Sequence, residues 1–470
     1  MKRPIHRWKS NSSHEHRPIL RERYIIASCC LATFLLLVSN YWTVFKSYET
    51  NEQTTQQSFA SRFERIFGTN VWCDNKFRRK YRLIEPEEGG GTCKEIRTIS
   101  DLVSRCRDIL KENRNNRACK YAVEYLQDET GKYLKGKEFE IFLRIVKSGV
   151  ENPDSSIGCY AMTPNDYSTF QYFFDKVIRD YHGDLTGKKI HETDWDVGSE
   201  KDRFDLQKLG LGNDTSMRVR VARNLIGFNL PGAMEREERI VLEQTLLRVF
   251  DELKTNYGGR VYSLTPKFGP SGKNDNLISK DLYEELVDGH VMFKDMSSDP
   301  YLNSAGISND WPYGRGCWQS EDKTRIVWFG EEDQLRIMTM QRGSNLIDVF
   351  SKLNEILATI ESIGAVTFAK HEKYGYITSC PSNLGTAMRA SVHVKVPKLT
   401  AGGSDVKVKA ICKPLNLSVR GVGGEHTPIG VDGTVDISPS SRLFVKENQI
   451  IDMLYKGIER LMDAENNLKA

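Results

Sequence analysis

The stretch SMRVRVAR, residues 216–223, alternates arginines with apolar residues. Because successive side chains of a β-strand point to opposite faces, Arg218 and Arg220 would share one face, with Met217 and Val219 on the other. The pattern therefore predicts a strand in a sheet that has one apolar face and one positively charged face.

The chain from about residue 99 onwards mixes helical and strand-like segments. Apolar residues recur at helical spacing in DLVSRCRDILKENRNNRACKYAVEYLQ, which predicts a small helical unit over residues 99–191. After it, RIVWF, LRIMTM and SVHVKV are typical of strands, whereas ENQIIDMLYKGIERLMDAENNL is typical of an amphipathic helix. We predict an α+β fold, with a catalytic domain built on a sheet over residues 192–470.

The N-terminal part of the chain has a different composition. YIIASCCLATFLLLVSNYWTVF, residues 24–45, contains no charged residue and is long enough to span a bilayer as a helix. A secretory signal peptide and a buried core helix are the alternatives, but the apolar run is long for a signal peptide and no small-x-small cleavage site follows closely. We predict a basic tail at 1–23, one transmembrane helix at 24–45 and a polar stalk at 46–98.

Composition and motifs exclude several classes of function. A net charge of +4 over 470 residues, without a helix-turn-helix or RNA-motif signature, argues against nucleic-acid binding. Ten cysteines without a CxxC pair argue against a structural zinc site. The chain also has no Walker A loop and no GxGxxG after a strand, so a phosphate group would have to be bound in another way.

Arginine side chains could bind a phosphate group without such a loop. Besides Arg218 and Arg220, arginines occupy positions 336, 389 and 420, near or within strand-like segments. A guanidinium group binds phosphate oxygens bidentately and keeps its charge at physiological pH, so five of them converging would form a polyphosphate clamp. Taken singly, each arginine is more often a solvated surface charge, and periodicity alone does not establish the clamp.

Three further segments carry side chains suited to chemistry. GEEDQLR, residues 330–336, crowds three carboxylates on a predicted turn, which taken alone is more often an exposed acidic turn. RGVGGEHTPIG is a glycine-rich loop that contains Glu425, and such loops are candidates for lids that close on a ligand. CPSNLGT places Cys380 at the head of a turn, where a nucleophile, a metal ligand, a thiolate that tunes another group and a buried inert thiol are all open.

Taken together, these segments resemble one protein family. SMRVRVAR, DGHVMF, RIVWFGEEDQLRIMTMQRG, CPSNLGTAMRASVHVKVPKL and SVRGVGGEH occur in the order and spacing of the ATP:guanidino phosphotransferases, the phosphagen kinases. The resemblance runs from about residue 99 to the C-terminus. It implies a small all-helical N-terminal domain and a catalytic domain with an antiparallel β-sheet flanked by helices. It also implies reversible transfer of the γ-phosphoryl group of ATP to a guanidino compound, with Mg²⁺ bound through the nucleotide.

The resemblance implies roles for individual residues. Glu332 and Glu425 would grip and orient the substrate guanidinium, with Glu332 as the base, and Cys380 would lie beside them as a thiolate whose pKa is lowered by nearby arginines. The nucleotide would be bound by Ser216, Arg218, Arg220, His290, Arg336, Arg389 and Arg420. The amino-acid end of the substrate would be held by Ser155, Ser156, Ile157, Gly158 and Tyr160.

Within the family, SGVENPDSSIGCYA resembles the short substrate loop of arginine kinases, which predicts L-arginine as the substrate. Ser156 stands where arginine kinases usually have glycine, Gly330 replaces a usual asparagine, and Gln334 replaces a usual histidine. Taurocyamine kinases can share much of this loop, so a taurocyamine or other guanidino kinase is the first alternative. A membrane-tethered, non-catalytic scaffold is the second, and protein-arginine phosphorylation is the third. The oligomeric state stays open.

The location of the kinase domain follows from opposing arguments. The basic N-terminal flank favours a cytoplasmic N-terminus with the rest outside, and the cysteines at 73, 93, 106 and 119 would suit an oxidising compartment. The need for ATP argues against that arrangement, as does a glycosylation sequon at Asn213, five residues from Arg218. We predict a single-pass membrane protein, attached through residues 24–45, whose kinase domain lies in the cytosol or the mitochondrial intermembrane space.

Overall fold

The computed structural model describes residues 96–184, 186–200, 202–269, 272–422 and 427–468. All of these residues belong to one unit, which begins at Ile96. The predicted tail at 1–23, the segment at 24–45 and nearly all of the predicted stalk at 46–98 lie outside the described residues.

The N-terminal part of this unit consists of five helices. They are α1 (Ile99–Glu112), α2 (Arg117–Gln127), α3 (Gly136–Glu151), α4 (Asp166–Thr169) and α5 (Gln171–His182). Helix α1 begins with a capping box, because the Thr98 hydroxyl accepts from the Asp101 N–H and the Asp101 carboxylate accepts from the Thr98 N–H. The helical character predicted for residues 99–191 is confirmed as far as His182, while the domain boundary at 191 stays a prediction.

The rest of the unit is built on an antiparallel sheet of eight strands, which are β1 (Ser216–Arg223), β2 (Arg260–Ser263), β3 (Gly316–Gln319), β4 (Arg325–Phe329), β5 (Leu335–Arg342), β8 (Met388–Lys395), β9 (Leu417–Arg420) and β10 (Thr434–Pro439). Their order in the sheet is β2-β3-β4-β5-β1-β8-β10-β9. A separate two-stranded ribbon pairs β6 (Lys370–His371) with β7 (Gly375–Tyr376).

Helices cover the apolar face of the large sheet. The helices of this region are α6 (Arg236–Tyr257), α7 (Lys280–Asp288), α8 (Pro300–Ser304), α9 (Leu346–Ile363), α10 (Val406–Cys412) and α11 (Glu447–Asn467). Met217, Val219 and Val221 of β1 are buried in the same core as residues of α6, α9 and α11. The predicted helical part followed by an antiparallel sheet flanked by helices is therefore confirmed.

The opposite face of the sheet carries positive charge, as the alternation in β1 predicts. Arg220 is directly opposite Arg389 on β8, and Ala222 is directly opposite Arg336 on β5. Directly paired residues share a face, as do residues two apart on one strand, so Arg218, Arg220, Arg336 and Arg389 lie on the same side. Through β8 and β10 the same rule places Arg420 there, because it is paired with Asp436, which is itself paired with His393.

The predicted membrane anchor requires a correction. Between residues 96 and 468, as far as the structure describes them, no helix combines the length and apolar composition needed to cross a bilayer. The segment at 24–45 on which the prediction rested lies outside the described residues. The structure therefore does not support a transmembrane helix, a membrane contact or a single-pass location.

Candidate active site

A cavity of about 310 Å³ opens on the charged face of the sheet. All five arginines predicted to bind phosphate line it, together with His290, which follows α7 and has a left-handed backbone (φ 59°). The apolar part of the wall includes Val287, Met292, Phe293 and Trp328. Ser216, the remaining predicted nucleotide-binding residue, lies at the start of β1 and is not among the lining residues.

The arginines in this cavity repel one another. Burial lowers the pKa of Arg220 well below its usual value, and the charges of Arg336, Arg218 and Arg389 lower it further. The pKa of Arg389 falls to about 10 for the same two reasons, burial first and the neighbouring Arg420 second. A cluster of like charges that is held in place by a sheet is suited to bind a polyanion, which would relieve this repulsion.

Two carboxylates offset part of the positive charge, and neither was predicted as a site residue. Asp436 on β10 accepts a hydrogen bond from Nη2 of Arg389 at 3.0 Å, and both side chains are buried. Glu331 accepts a hydrogen bond from Nη1 of Arg336 at 2.8 Å. The alternation in TVDISP could have indicated the orientation of Asp436 within its strand, but no local pattern indicates that β10 lies next to β8.

The acidic turn between β4 and β5 is not an exposed turn. Arg336 also donates from Nη2 to Glu332 at 3.4 Å, and Nδ2 of Asn383 donates to the other oxygen of Glu332 at 3.4 Å. Burial, followed by the charges of Asp333 and Glu331, raises the pKa of Glu332 to about 7. Asp333 points the opposite way, since its Oδ1 accepts from the Ser379 N–H and from Nδ2 of Asn224, both at 2.7 Å.

Cys380 is buried at the head of a short 3₁₀ turn, Pro381–Asn383. Its sulfur lies 3.0 Å from the hydroxyl of Ser382. Burial and the neighbouring Glu332 raise the pKa of the thiol to about 12. The prediction that nearby arginines lower this pKa is wrong, because burial and the negative charges of Glu332 and Asp333 raise it.

The predicted substrate loop, residues 155–160, lies against the Cys380 turn. The Ala161 N–H donates to the carbonyl of Ser379 at 2.8 Å, which joins the end of this loop to the residue before Cys380. Tyr160 is buried, and burial followed by the charges of Cys380 and Glu332 raises the pKa of its phenol well above the usual value. Glu425 lies in the stretch 423–426, outside the described residues, so its predicted role stays a prediction.

Comparison with known proteins assigns this chain to a family. The model of the ATP:guanido phosphotransferase C-terminal catalytic domain matches residues 242–468, and the model of the N-terminal domain of the same family matches residues 129–179. Arginine kinase Oct f 2 of Amphioctopus fangsiao is 34% identical over 371 residues, which are 77% of this chain and 99% of that protein. The chain belongs to the ATP:guanido phosphotransferase family.

Other members of the family are about equally similar to this chain. The testis isozyme of creatine kinase from Oncorhynchus mykiss is 34% identical over 332 residues, 69% of this chain and 82% of that protein. The substrate-free structure of the duplicated taurocyamine kinase from Schistosoma mansoni has a TM-score of 0.65 and 31% identity, covering 79% of this chain. This chain spans half of that duplicated protein. Family membership therefore establishes that the chain is a guanidino phosphotransferase. It does not identify the guanidino substrate.

Two departures from the usual family sequence have structural explanations in this chain. Gly330 has a left-handed backbone (φ 74°), and a Cβ there would lie 2.0 Å from the carbonyl oxygen of Gly314. Gln334 is fully buried, and its amide donates to the Asn229 carbonyl at 2.7 Å and accepts from the Leu225 N–H at 2.8 Å. Both residues support the turn that presents Glu332, and neither lines the arginine cavity.

Proposed function

We propose that this chain transfers the γ-phosphoryl group of ATP reversibly to the guanidino group of L-arginine. One observation carries the proposal: Arg336 contacts Glu331, which lines the arginine cavity, and also Glu332, which faces the Cys380 turn. A phosphate group bound by the arginines and a guanidinium group bound by Glu332 would therefore meet beside one residue. Phosphoryl transfer needs this adjacency more than it needs a covalent intermediate.

The arginine cavity would bind the phosphates of the nucleotide. Arg218, Arg220, Arg336, Arg389 and Arg420 offset the negative charge on the phosphates and on the group being transferred. No group of three or more His, Cys, Asp or Glu side chains suited to a metal ion occurs in the described part of the chain. Mg²⁺ bound through the nucleotide, as the family resemblance implies, would further neutralise the charge on the phosphate oxygens.

Glu332 would act on the guanidino nitrogen that attacks the γ-phosphorus. A protonated guanidinium is a poor nucleophile, so a proton must leave as the new N–P bond forms and the bond to ADP breaks. The carboxylate of Glu332 accepts that proton, and its pKa of about 7 suits a base that works near neutral pH. Glu425, from the glycine-rich loop, would hold the other side of the guanidinium once that loop closes.

Cys380 would interact with the bound guanidinium through its sulfur. Without substrate the thiol is neutral at pH 7, because its pKa is raised to about 12. A guanidinium cation beside the sulfur would favour the thiolate and lower that pKa, so the thiolate would form together with the substrate complex. The sulfur is thus a charge partner of the substrate, and direct transfer requires no phosphocysteine.

A coupled assay of ATP consumption on the full chain tests the proposal. With Mg²⁺ and ATP, we expect kcat/KM for L-arginine to exceed that for taurocyamine, lombricine and creatine by about tenfold or more, which corresponds to about 1.4 kcal/mol of discrimination. The short loop at 155–160, which resembles that of arginine kinases, supports this order. A higher value for another guanidino compound would replace arginine as the substrate. Binding of ATP without transfer to any of them would favour the non-catalytic scaffold.

Taurocyamine is the second candidate substrate. The structure of a taurocyamine kinase covers 79% of this chain at 31% identity. Taurocyamine carries a sulfonate and no α-amino group, so a site that hydrogen-bonds the amino group of arginine should discriminate strongly against it. The ratio of the two kcat/KM values therefore separates the candidates.

A further inference from the structure

The predicted substrate loop is fastened to the start of helix α2 by both backbone and side chain. The Arg117 N–H donates to the Ser156 carbonyl at 3.2 Å, and the Ala118 N–H donates to the Ile157 carbonyl at 3.0 Å. Nη1 of Arg117 adds bonds to the same Ser156 carbonyl at 3.2 Å and to the Ser156 hydroxyl at 3.1 Å. The hydroxyl bond depends on this chain's own sequence, because a glycine at 156 could not make it.

The other half of the Arg117 guanidinium binds the end of helix α5. Nη2 lies 3.3 Å from Oδ1 of Asp180, and the guanidinium carbon lies 5.5 Å from the centre of the Tyr181 ring. Asp180 is held in turn by Nζ of Lys120 at 3.1 Å and by the hydroxyl of Tyr121 at 2.8 Å. A planar guanidinium with several bonds of fixed direction therefore joins the loop to two helices.

The same end of α5 contacts the Cys380 turn. Nε2 of His182 lies 3.0 Å from the carbonyl oxygen of Pro381, the residue after Cys380. Burial lowers the pKa of His182 to about 4, so the ring is neutral at pH 7 and its Nε2–H donates this bond. Residues 180–182 therefore lie between two parts of the site: the loop that would hold the amino-acid end of the substrate and the turn that would face its guanidinium.

We propose that Arg117 is a positioning residue for the guanidino substrate: through Ser156 and Asp180 it fixes the loop at 155–160 at a set distance from the Cys380 turn. This inference rests on the proposed role of that loop in binding the substrate. A loop that is fixed before binding loses less conformational freedom when substrate binds, which favours affinity. A fixed distance between the two ends of the site also selects substrates by length, so Arg117 contributes to specificity without contacting the substrate.

Steady-state kinetics on the full chain test this role, with L-arginine and taurocyamine as the varied substrates. For Arg117→Ala we expect KM for the better guanidino substrate to rise about fivefold to tenfold, with kcat within about twofold, since ground-state positioning is lost and the chemical groups remain. KM for ATP should not change. We also expect the ratio of kcat/KM values for the two substrates to move towards one.

Two further variants separate positioning from a general loss of structure. Arg117→Lys keeps a charge for Asp180 but loses the planar group, so its KM should fall between those of the wild type and Arg117→Ala. Ser156→Gly removes only the hydrogen bond of the hydroxyl and should raise KM about twofold to threefold. When Ser156→Gly is combined with Arg117→Ala, the two effects on KM should be less than additive, because both changes remove the same contact.

Lys176→Ala is the matched control. Nζ of Lys176 pairs with Glu124 at 3.1 Å, which also joins α5 to α2 but touches neither the loop nor the Cys380 turn. Its kinetic constants should equal those of the wild type. An unchanged KM in Arg117→Ala would overturn the inference, and so would an equal rise in Lys176→Ala or a matching loss of ATP affinity.

Tyr160→Phe distinguishes failure of this inference from failure of the proposed function. If Tyr160→Phe changes KM for the guanidino substrate while Arg117→Ala does not, the loop binds substrate and the role of Arg117 is wrong. If neither variant changes KM, the proposed role of residues 155–160 is wrong, and the inference is wrong with it.

Discussion

Arg389 on β8 and Asp436 on β10 form an ion pair of 3.0 Å in which both side chains are almost fully buried. Asp436 also attracts Arg218, and it is therefore the carboxylate that stabilises the arginine cluster from its β10 side. Removing one partner of a buried pair leaves an uncompensated charge, which is far more costly than the pair itself.

We expect Asp436→Asn to lower the free energy of unfolding by about 3 kcal/mol in the absence of nucleotide. The deficit should shrink when ATP saturates the site, because phosphate groups then supply the missing negative charge. Urea unfolding with and without ATP measures both effects. Asp432→Asn is the control: its ion pair with Lys395 is exposed to solvent, so its removal should change the free energy of unfolding far less than Asp436→Asn does. Equal effects of the two variants would contradict this account of Asp436.

The raised pKa of Glu332 predicts an acid limb in the pH profile. A base must be deprotonated to work, so kcat/KM should increase with pH and level off above a midpoint of about 7, the pKa of Glu332 in the free enzyme. The substrate guanidinium stays protonated throughout this range and does not contribute to the limb. Glu332→Gln should abolish the limb and reduce kcat by about a hundredfold or more. A limb of unchanged midpoint in that variant would assign it to another group.

Cys380→Ala should lower kcat by about tenfold or more, because the variant removes the sulfur that is proposed to stabilise the guanidinium. The coupled assay measures the loss, and thermal unfolding shows whether the fold is intact. Cys412→Ala provides the comparison, since Cys412 is also buried but lies on α10 in the core below the sheet. Both variants should lose about 1 kcal/mol of stability for the smaller side chain. Wild-type turnover in Cys380→Ala would exclude the proposed role.

Gly330 should not tolerate the asparagine that is usual in the family. Gly330→Asn would add a Cβ 2.0 Å from a backbone oxygen, at a left-handed position, and should cost about 2–4 kcal/mol of stability. Gly364→Ala is a matched control, because Gly364 has nearly the same backbone angle (φ 69°) and no atom lies within 4 Å of the added Cβ. This variant should lose only the cost of a left-handed backbone at a residue with a Cβ, about 1 kcal/mol of stability. Chemical denaturation compares the two, and similar losses would show that the close contact relaxes at little cost.

The faces of the sheet could be predicted from the sequence because the side-chain period of a strand is two. The alternation in β1 correctly predicts that Arg218 and Arg220 point away from Met217 and Val219. The place of each strand in the sheet has no such local signal, since β1 pairs with strands more than a hundred residues later in the chain. The ion pair between Arg389 and Asp436 could not be predicted for that reason.

The acidic turn shows a second limit of prediction from sequence. Three consecutive carboxylates on a tight turn follow no period, so the sequence could not distinguish their orientations. In the structure Glu331 faces Arg336 and the cavity, Glu332 faces Asn383, and Asp333 points inwards to Asn224. The pKa of Cys380 is raised rather than lowered for a related reason: the sequence shows arginines in the site but not that the charges of Glu332 and Asp333 act on the thiol.

The strand order has a consequence for how the protein is made. Arg218 and Arg220 on β1 are synthesised before β5 and β8, the strands that pair with β1, and the carboxylate that neutralises Arg389 comes from β10 near the end of the chain. On a ribosome, the growing chain therefore cannot assemble the arginine cavity until nearly all of it has emerged. Pairing between such distant segments is slow to form. ATP can consequently stabilise the finished fold but cannot assist its earliest stages, and a chain truncated before β10 should not retain the nucleotide site.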